Sequence, residues 1–276
     1  MSARAAVEAL LRERKLDRTL ASTLPERLDD DAAAAFGTDT LDRALSGGLP
    51  RGQVSEVVGP SSSGRTSLAW AALAAATLRG ESVALIDTFD RFDPPTAHAC
   101  GIELSRLLWV RGQAVSKTSG AVDPAWLPGV RAVGGPGTFV ERVIDRALKS
   151  LNLVVQSRVC TLVVIDLVDV PATVLRRLPA ATWFRIERAI EGSDTAVVIV
   201  AAIPVARSAG GKSIALHPKN VTNPENLSNP SNPIVWKGAH DRTRRLGGVR
   251  ASAAISAARS SQVRHVGFET ALINAG

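Results

Sequence analysis

Short runs of consecutive apolar residues alternate along this chain with longer stretches in which apolar positions recur at helical spacing. The apolar runs are rich in Val, Ile and Leu, as expected of strands buried on both faces of a sheet. Strands that alternate with helices predict the α/β class, with a mostly parallel central sheet flanked by helices. The predicted strands are Val54–Val58, Ser82–Asp87, Leu107–Val110, Thr161–Asp166 and Thr195–Ala202, and the predicted helices are Thr66–Leu78, Phe139–Leu151 and Ala172–Ile190.

The N-terminal part of the chain departs from this alternation. Between Ala3 and Leu20 apolar residues recur at helical spacing with charged residues between them, which predicts a short amphipathic helix. The stretch RLDDDAAAAFGTDT then has the composition of a linker, and a brief helix after it is expected to end at Gly47 and Gly48.

The C-terminal part departs from it as well. The segment HPKNVTNPENLSNPSNPIV holds so many Asn and Pro residues that we expect a loop rather than a helix or a strand interior. The residues after it alternate in part and suit antiparallel strands added to one sheet edge. We therefore divide the chain into an N-terminal helix and linker (1–35), an α/β core (36–204) and a basic C-terminal segment (205–276).

Composition narrows the class of protein. The chain has 276 residues, of which 45% are hydrophobic and 21% charged, as in ordinary soluble domains. Because it has neither an apolar run long enough to span a bilayer nor a signal-peptide pattern, we expect a cytoplasmic protein that contacts no membrane. Cys100 and Cys160 lie far apart beside apolar residues, and no Cys/His pair has metal-ligand spacing, so we expect free buried thiols.

The net charge of +7 is concentrated in the C-terminal segment, where ten Lys and Arg residues stand against three Asp and Glu residues. A positive pole of this kind attracts phosphate backbones, so DNA is a candidate partner. A solvated surface without a ligand is the alternative, since aromatic residues do not interleave with the charges. The candidate nucleic-acid contacts are Arg242, Arg244, Arg245 and Arg250.

The stretch VVGPSSSGRTS resembles a phosphate-binding loop, G-x-x-x-x-G-K-[ST], and lies between a predicted strand and a predicted helix. Gly59 and Gly64 let successive backbone N–H groups face one anion, and the following helix adds its positive N-terminal dipole. A Gly/Ser-rich turn without a ligand is the alternative. The predicted phosphate contacts are Gly59, Gly64, Arg65, Thr66 and Ser67.

Arg65 stands where the motif has lysine. Arginine keeps the positive charge, but its planar fork does not fit the place of a compact ammonium in a tight loop. Arg65 therefore predicts impaired hydrolysis, with its side chain turned outward or filling the phosphate site by pairing with an acid such as Asp166. Thr66 and Asp166 stand where a hydroxyl and a carboxylate hold magnesium, if a magnesium nucleotide binds at all.

The density of matching residues makes the chain resemble the ATPase core of the bacterial recombinase RecA. The resemblance is strongest over GTDTLDRALSGGLPRGQVSEVVGPSSSGRTSLAWAALAAA and VALIDTFDRFDPPTAHACGIELSRLLWV, and it continues more thinly through the strand that ends at Asp166. It implies a RecA-like fold, an ATP and magnesium site, and a helix before the core that docks one protomer on the next.

Position by position, the resemblance implies lost functions. Phe89 stands where the family has a glutamate that activates water, and Ala202 stands where it has a glutamine that senses the γ-phosphate. Asp93 matches an acid that contacts adenine, whereas Thr96 replaces a stacking tyrosine. The two DNA-binding loops are shortened or replaced. We therefore expect a pseudo-ATPase that requires no cofactor and binds ATP and magnesium at most weakly.

Within this superfamily the chain looks most like the ImuA-type accessory proteins of damage-induced mutagenesis. That resemblance implies a role in the SOS response and translesion synthesis, with RecA, an ImuB-type protein and an error-prone DNA polymerase as partners, in a bacterial, nucleoid-associated location. Two alternatives stay open. One is a DNA-dependent ATPase or DNA-binding repair protein, in which Arg65 and Asp90 replace the usual lysine and glutamate. The other is a RecA-like inhibitor of a filament-forming or cell-division target.

Overall fold

A computed structural model describes residues 33–113, 139–206, 210–217, 234–237, 245–257 and 263–271, with the backbone alone described at 217, 234–237, 245–250 and 271. The predicted N-terminal helix lies outside these residues. The division of the chain into three parts stays a prediction.

Six helices and eleven strands make up the described part of the chain. The helices are α1 (Asp39–Ala44), α2 (Arg65–Leu78), α3 (Pro94–Ala99), α4 (Phe139–Ser157), α5 (Ala172–Leu175) and α6 (Ala180–Ile190), with a 3₁₀ turn at Leu104–Arg106. The strands are β1 (Ala33–Ala34), β2 (Leu49–Pro50), β3 (Val54–Val58), β4 (Val83–Asp87), β5 (Leu107–Arg111), β6 (Leu162–Leu167), β7 (Ala196–Ala201), β8 (Lys212–His217), β9 (Ile234–Lys237), β10 (Arg245–Ala257) and β11 (Arg264–Ala271).

Nine of the strands form one sheet in the order β11-β10-β8-β3-β7-β6-β4-β5, with β9 also paired to β10. The strands from β8 to β5 in this order are parallel to one another, and β10 is antiparallel to β8, β9 and β11. The predicted α/β fold with a mostly parallel, helix-flanked sheet is confirmed. Strands β3, β4, β6 and β7 are buried along nearly their whole length, because helices cover both of their faces.

Two apolar cores lie on the two sides of the sheet. Helix α2 packs its small, mostly Ala and Leu residues on one side, where Phe36 and Leu41 complete the core. Helices α4 and α6 cover the other side, and α6 buries Trp183 there. In the described part of the chain no helix is long and apolar enough to cross a membrane. Cys100 and Cys160 are free thiols, and burial raises the pKa of each.

The predicted strands of the core are all present, and three local predictions need correction. The expected linker is structured at its end, since Ala33 and Ala34 pair with β2 and Phe36 is only 1% exposed. The helix expected over 172–190 is two helices, because Pro179 caps the start of α6. The Asn/Pro-rich segment, expected to be a loop throughout, has both of its ends in strands. His217 is the last residue of β8, and residues 234–235 are the first two of β9.

Charged side chains join the amino ends of several strands. Arg51 donates to Glu81 Oε1 and Oε2 at 3.1 and 3.2 Å and to the carbonyl of Asp194 at 2.9 Å. Arg79 and Thr161 also donate to Glu81. Burial by itself raises the pKa of Glu81, but the hydrogen bonds from Arg79 and Thr161 and the charge of Arg51 outweigh burial, so the pKa lies below its usual range. The network ties the loop before β3 to β4 and β6.

Glu56, a buried residue of β3, holds the segment that follows the carboxyl end of β7 in place by hydrogen bonds. Its Oε2 accepts hydrogen bonds from the backbone N–H groups of Val205 and Ala206 at 2.9 and 3.0 Å, and its Oε1 accepts one from Ser213 Oγ at 2.8 Å. Because a buried carboxylate needs such donors, Glu56 and the segment after β7 depend on each other.

We expect Glu56→Ala to lower the free energy of unfolding by about 3 kcal/mol, because it leaves two buried N–H groups without an acceptor. Urea unfolding followed by circular dichroism measures the change. Glu191→Ala, which removes an exposed carboxylate, serves as the control and should change stability by less than about 0.5 kcal/mol. A small effect of Glu56→Ala would contradict the role assigned to this side chain.

Candidate phosphate-binding site

The loop from Gly59 to Gly64 joins β3 to α2 and turns tightly over the carboxyl end of the sheet. A Cβ atom at Gly59 would lie 2.6 Å from the carbonyl oxygen of Leu216, so no larger residue fits there. Gly64 has φ of 90° and precedes the first turn of α2, a conformation that favours glycine. The close contact at Gly59 and the backbone conformation of Gly64 explain why both glycines of the motif are needed.

Two buried polar atoms, one in this loop and one in the first residue of α2, have no hydrogen-bond partner among the described residues. They are the Oγ of Ser63, whose residue is 3% exposed, and the Nη1 of Arg65, whose residue is 5% exposed. Arg65 is thus turned inward, and the outward orientation considered from the sequence is wrong. It does not form an ion pair with Asp166 either. Burial lowers the pKa of Arg65, and the charges of Asp166 and Asp169 act in the opposite direction.

Buried hydrogen-bond donors are normally satisfied, and unsatisfied donors at two positions two residues apart, where the loop meets α2, suit an oxyanion. The N-terminus of α2, a helix of 14 residues, adds the favourable end of its dipole. The loop therefore fits a phosphoryl group. Thr66 and Ser67 occupy the first turn of α2 and are both partly exposed beside it.

A cavity of about 290 Å³ adjoins this loop at the carboxyl ends of β4 and β6. Thr66 lines it together with Asp87, Asp166 and Asp169. Asp87 and Asp166 are direct neighbours in the parallel pairing of β4 with β6. The fold thus brings the predicted hydroxyl and carboxylate for magnesium into one cavity, and these oxygen groups are the type that this cation prefers.

Asp166 has a perturbed acidity. Although the residue retains some exposure to the cavity, burial of its carboxyl group is the main cause that raises its pKa to about 6. The hydrogen bond that Val168 N–H donates at 2.9 Å and the charge of Arg65 oppose the rise, whereas the charges of Asp87 and Asp169 add to it. A carboxyl group in such surroundings is stabilised by any cation that enters the cavity.

The sequence pattern does not single out Asp87, yet this residue shapes the site. Its Oδ1 accepts from Arg91 N–H at 2.8 Å, and its Oδ2 accepts from Phe92 N–H at 2.8 Å and from Trp109 Nε1–H at 3.1 Å. These bonds fold the chain after β4 into a tight turn. The only signal for this role in the sequence is an acid at the end of a strand, followed by a polar turn.

Within that turn, Phe89 is 3% exposed and packs into the core, while its surface contributes to the cavity wall. Asp90, the candidate replacement base, has φ of 56° and accepts two hydrogen bonds from Arg111, at 2.9 and 2.8 Å. The hydrogen bonds from Arg111 lower the pKa of Asp90 below its usual range. Asp90 does not line the cavity, so the hypothesis that it serves there as a base lacks geometric support.

An ion pair crosses the cavity mouth. Arg91 Nε lies 3.1 Å from Asp169 Oδ2, and both residues line the cavity. The pair joins the turn after β4 to the turn after β6, where the first DNA-binding loop was expected to be shortened. That region contains only α5 and short turns before α6.

Asp93 and Thr96 interact with each other. Asp93 caps α3 by accepting hydrogen bonds from the backbone N–H of Thr96 at 3.0 Å and from its hydroxyl group. Both residues are exposed at the surface. The cap gives Asp93 a structural role through its Oδ2, and its contact with adenine stays a prediction. Ala202 lies directly after β7 and carries no polar side-chain group.

The predicted nucleic-acid contacts are largely beyond the described residues. Arg242 and Arg244 lie outside them, and Arg245 and Arg250 belong to β10 by their backbone alone. Their role stays a prediction. Among the described residues, no group of three or more His, Cys, Asp or Glu side chains is arranged to hold a metal ion.

Comparison with known proteins agrees with this geometry. Residues 20–118 match the RecA N-terminal domain. The protein RecA of Chlorobaculum tepidum is 35% identical over 153 residues, covering 46% of this chain and 44% of that protein. The chloroplastic DNA repair protein recA homolog 1 of Arabidopsis thaliana is 32% identical over 151 residues, covering 47% and 34%. The chain thus spans less than half the length of these relatives, and the similarity relates it to the RecA superfamily.

We expect Asp166→Asn to stabilise the protein at neutral pH in buffer without divalent cations. The folded-state pKa of about 6 exceeds the ordinary 3.8, so ionisation of Asp166 opposes folding. This penalty is absent below about pH 4 and complete above about pH 6, where two pKa units correspond to about 3 kcal/mol. Denaturant unfolding from pH 4 to pH 8 measures it. For Asp194→Asn, an exposed control, the stability relative to the wild type should not vary with pH in this way.

Proposed function

We propose that this protein is a RecA-like accessory protein of SOS-induced, error-prone translesion DNA synthesis. It acts through protein–protein contacts with RecA, an ImuB-type partner and an error-prone polymerase on nucleoid DNA, without hydrolysing ATP. Its similarity to RecA and to a DNA repair protein supports the setting in DNA repair. One observation carries the non-hydrolytic part: the turn after β4 offers the cavity the buried ring of Phe89 and no base.

A hydrolytic phosphoryl transfer needs a group that orients or deprotonates water in line with the phosphate. Phe89 has no such group, and the carboxylate of Asp90 is bound by Arg111 through two hydrogen bonds. Loss of one positioned catalytic group commonly costs about 10²- to 10³-fold in rate. Together with Arg65 in the place of lysine, these features argue for negligible turnover and hence for a binding role.

The proposed role requires no cofactor. The unsatisfied donors of Ser63 and Arg65 fit a phosphoryl group, which the loop from Gly59 to Ser67 would hold. Thr66 and Asp166 would hold a magnesium ion that accompanied it, and that ion would neutralise phosphate charge. The chain's own contribution would be to bind and orient the anion without activating water.

We expect ATP hydrolysis by the purified protein to equal that of its Asp166→Ala variant, with and without single-stranded DNA. The reason is that the turn after β4 presents the ring of Phe89 to the cavity, while the carboxylate of Asp90 is held by Arg111 outside it. A coupled phosphate-release assay checks this, with a RecA protein as the positive control. Turnover that requires DNA and disappears in Asp166→Ala would overturn the proposal and favour a DNA-dependent ATPase.

The proposed partners are tested separately from catalysis. From cells exposed to a DNA-damaging agent, we expect the tagged protein to co-purify with RecA and a polymerase-like protein. Asp90→Ala, which removes a partly exposed carboxylate, tests whether the turn after β4 contributes to that recovery. Recovery of a filament-forming or cell-division protein in place of the polymerase-like protein would refute the proposed role.

A further inference from the structure

We propose that a second cavity of this protein, on the α4 side of the sheet, binds a small organic anion. The cavity has a volume of about 310 Å³ and lies where the carboxyl ends of β4 and β5 meet the middle of α4. Of its described lining residues, only Asp87 also lines the cavity beside the phosphate loop. The inference goes beyond the proposed function and does not rest on it.

The turn after β5 forms one wall of this second cavity. Gly112 N–H donates to the carbonyl of Asp87 at 2.7 Å, and a Cβ atom at Gly112 would overlap the carbonyl oxygen of Thr88. Only glycine therefore lets the ends of β4 and β5 approach each other so closely. Helix α4 packs on β4 and β6, whereas β5 is the edge strand of the sheet. The cavity is the space that remains between this edge and the helix, at the carboxyl ends of parallel strands where ligands of α/β proteins commonly bind.

Thr88 is the residue that points to a ligand. It is 1% exposed and lines the second cavity, and its Oγ1 has no hydrogen-bond partner in the part of the chain that the structure describes. Buried hydroxyl groups are normally hydrogen-bonded, and a hydroxyl donates one hydrogen bond. A ligand atom that accepts this hydrogen bond would satisfy Thr88.

Arg146 gives the second cavity its available positive charge. This residue of α4 is exposed, and its guanidinium group donates to Gln113 Oε1 at 3.4 Å. Among the described residues no carboxylate forms an ion pair with Arg146, whereas Lys149 on the same helix pairs with Asp145 at 2.6 Å. A guanidinium group with free donors binds carboxylates and phosphates through paired hydrogen bonds. Arg146 therefore favours an anionic ligand.

The other two charged residues that line the second cavity are already engaged. Arg111 donates two hydrogen bonds to Asp90, and its guanidinium group lies 4.6 Å from the ring centroid of Trp109. The carboxylate of Asp87 accepts hydrogen bonds from the turn after β4 and from Trp109. Since Arg146 is the cation left for a ligand, we expect a ligand with a single anionic group.

Apolar side chains form the rest of the wall. Ile86, Val143 and Ala147 belong to the buried core on this side of the sheet, and Val110 packs against that core. Ligand pockets typically combine such an apolar wall with a few polar groups, in volumes of about 300 to 1,000 Å³. The cavity is thus large enough for more than an inorganic ion, and the ligand class is a carboxylate or phosphate ester with a compact apolar body.

NMR titration of the full, isotope-labelled chain tests this with three probes, benzoate, phenyl phosphate and the neutral benzamide. We expect at least one of the two anions to shift the amide signals of Thr88, Gly112 and Arg146, with a dissociation constant of about 1 mM, the order expected of so small a ligand. Benzamide should bind at least about tenfold more weakly, because it lacks the charge that pairs with Arg146. Tighter binding of benzoate would identify a carboxylate ligand, and tighter binding of phenyl phosphate a phosphate ester.

Three results would overturn the inference. They are no binding of either anion, equal binding of benzamide, and shifts confined to the phosphate loop from Gly59 to Gly64. The last result would place phenyl phosphate in the first cavity only.

Variants of the second cavity sharpen the test. Arg146→Met should weaken binding of the anion at least about tenfold. Thr88→Val, which keeps the shape of the side chain, should weaken it about fivefold, the order that one hydrogen bond contributes. Lys149→Met removes an exposed cation of the same helix and should change the affinity by less than about twofold, because surface charges are screened by salt.

Thermal unfolding separates binding from folding in these variants. Thr88→Val should not lower the melting temperature, since its hydroxyl has no partner to lose among the described residues. Equal loss of affinity in Arg146→Met and Lys149→Met would show attraction by surface charge alone and would overturn the inference. Unchanged affinity in both Arg146→Met and Thr88→Val would overturn it as well, because the anion would then bind elsewhere.

Discussion

The carboxylate of Asp87 is the constraint on which the site depends. It lies at the end of β4 and accepts three hydrogen bonds, two from the backbone of the following turn and one from Trp109 on β5. Because these bonds determine the path of the turn, they also determine what each of its residues contacts. Phe89 is buried in the core, and Phe92 packs between Trp70 and Trp109. Asp90 forms an ion pair with Arg111, and Arg91 forms one with Asp169.

The cavity at the end of β4 receives different groups from the two loops beside it. The loop before α2 retains its glycines, its buried donors and its helix dipole, all of which attract an anion. The turn after β4 contributes to the same cavity the apolar ring of Phe89 and the side chain of Arg91, which pairs with Asp169 after β6. The anion-attracting groups and the groups of this turn thus come from different segments of the chain.

Much of the architecture followed from the sequence because its signals are local. Near-continuous runs such as VALID and AVVIVA are strands in the structure, and the glycines of the phosphate loop stand at the positions that need them. Burial of Arg65 was considered from the sequence only through a pairing with Asp166, and that pairing does not occur. The sequence pattern did not predict strand β1 at the end of the linker either, because Ala33 and Ala34 form a strand only through their pairing with β2.

The sequence by itself therefore determined the α/β class and the glycine-containing loop between β3 and α2, since each rests on residue type and spacing along the chain. Tertiary structure alone decided that Asp87 and Asp166 are neighbours and that Asp90 is held by Arg111. It also decided that Ser63 and Arg65 each bury a polar atom without a partner among the described residues. The physical reason is that hydrogen bonding and burial depend on which distant strands the sheet brings together, and no local pattern records that pairing.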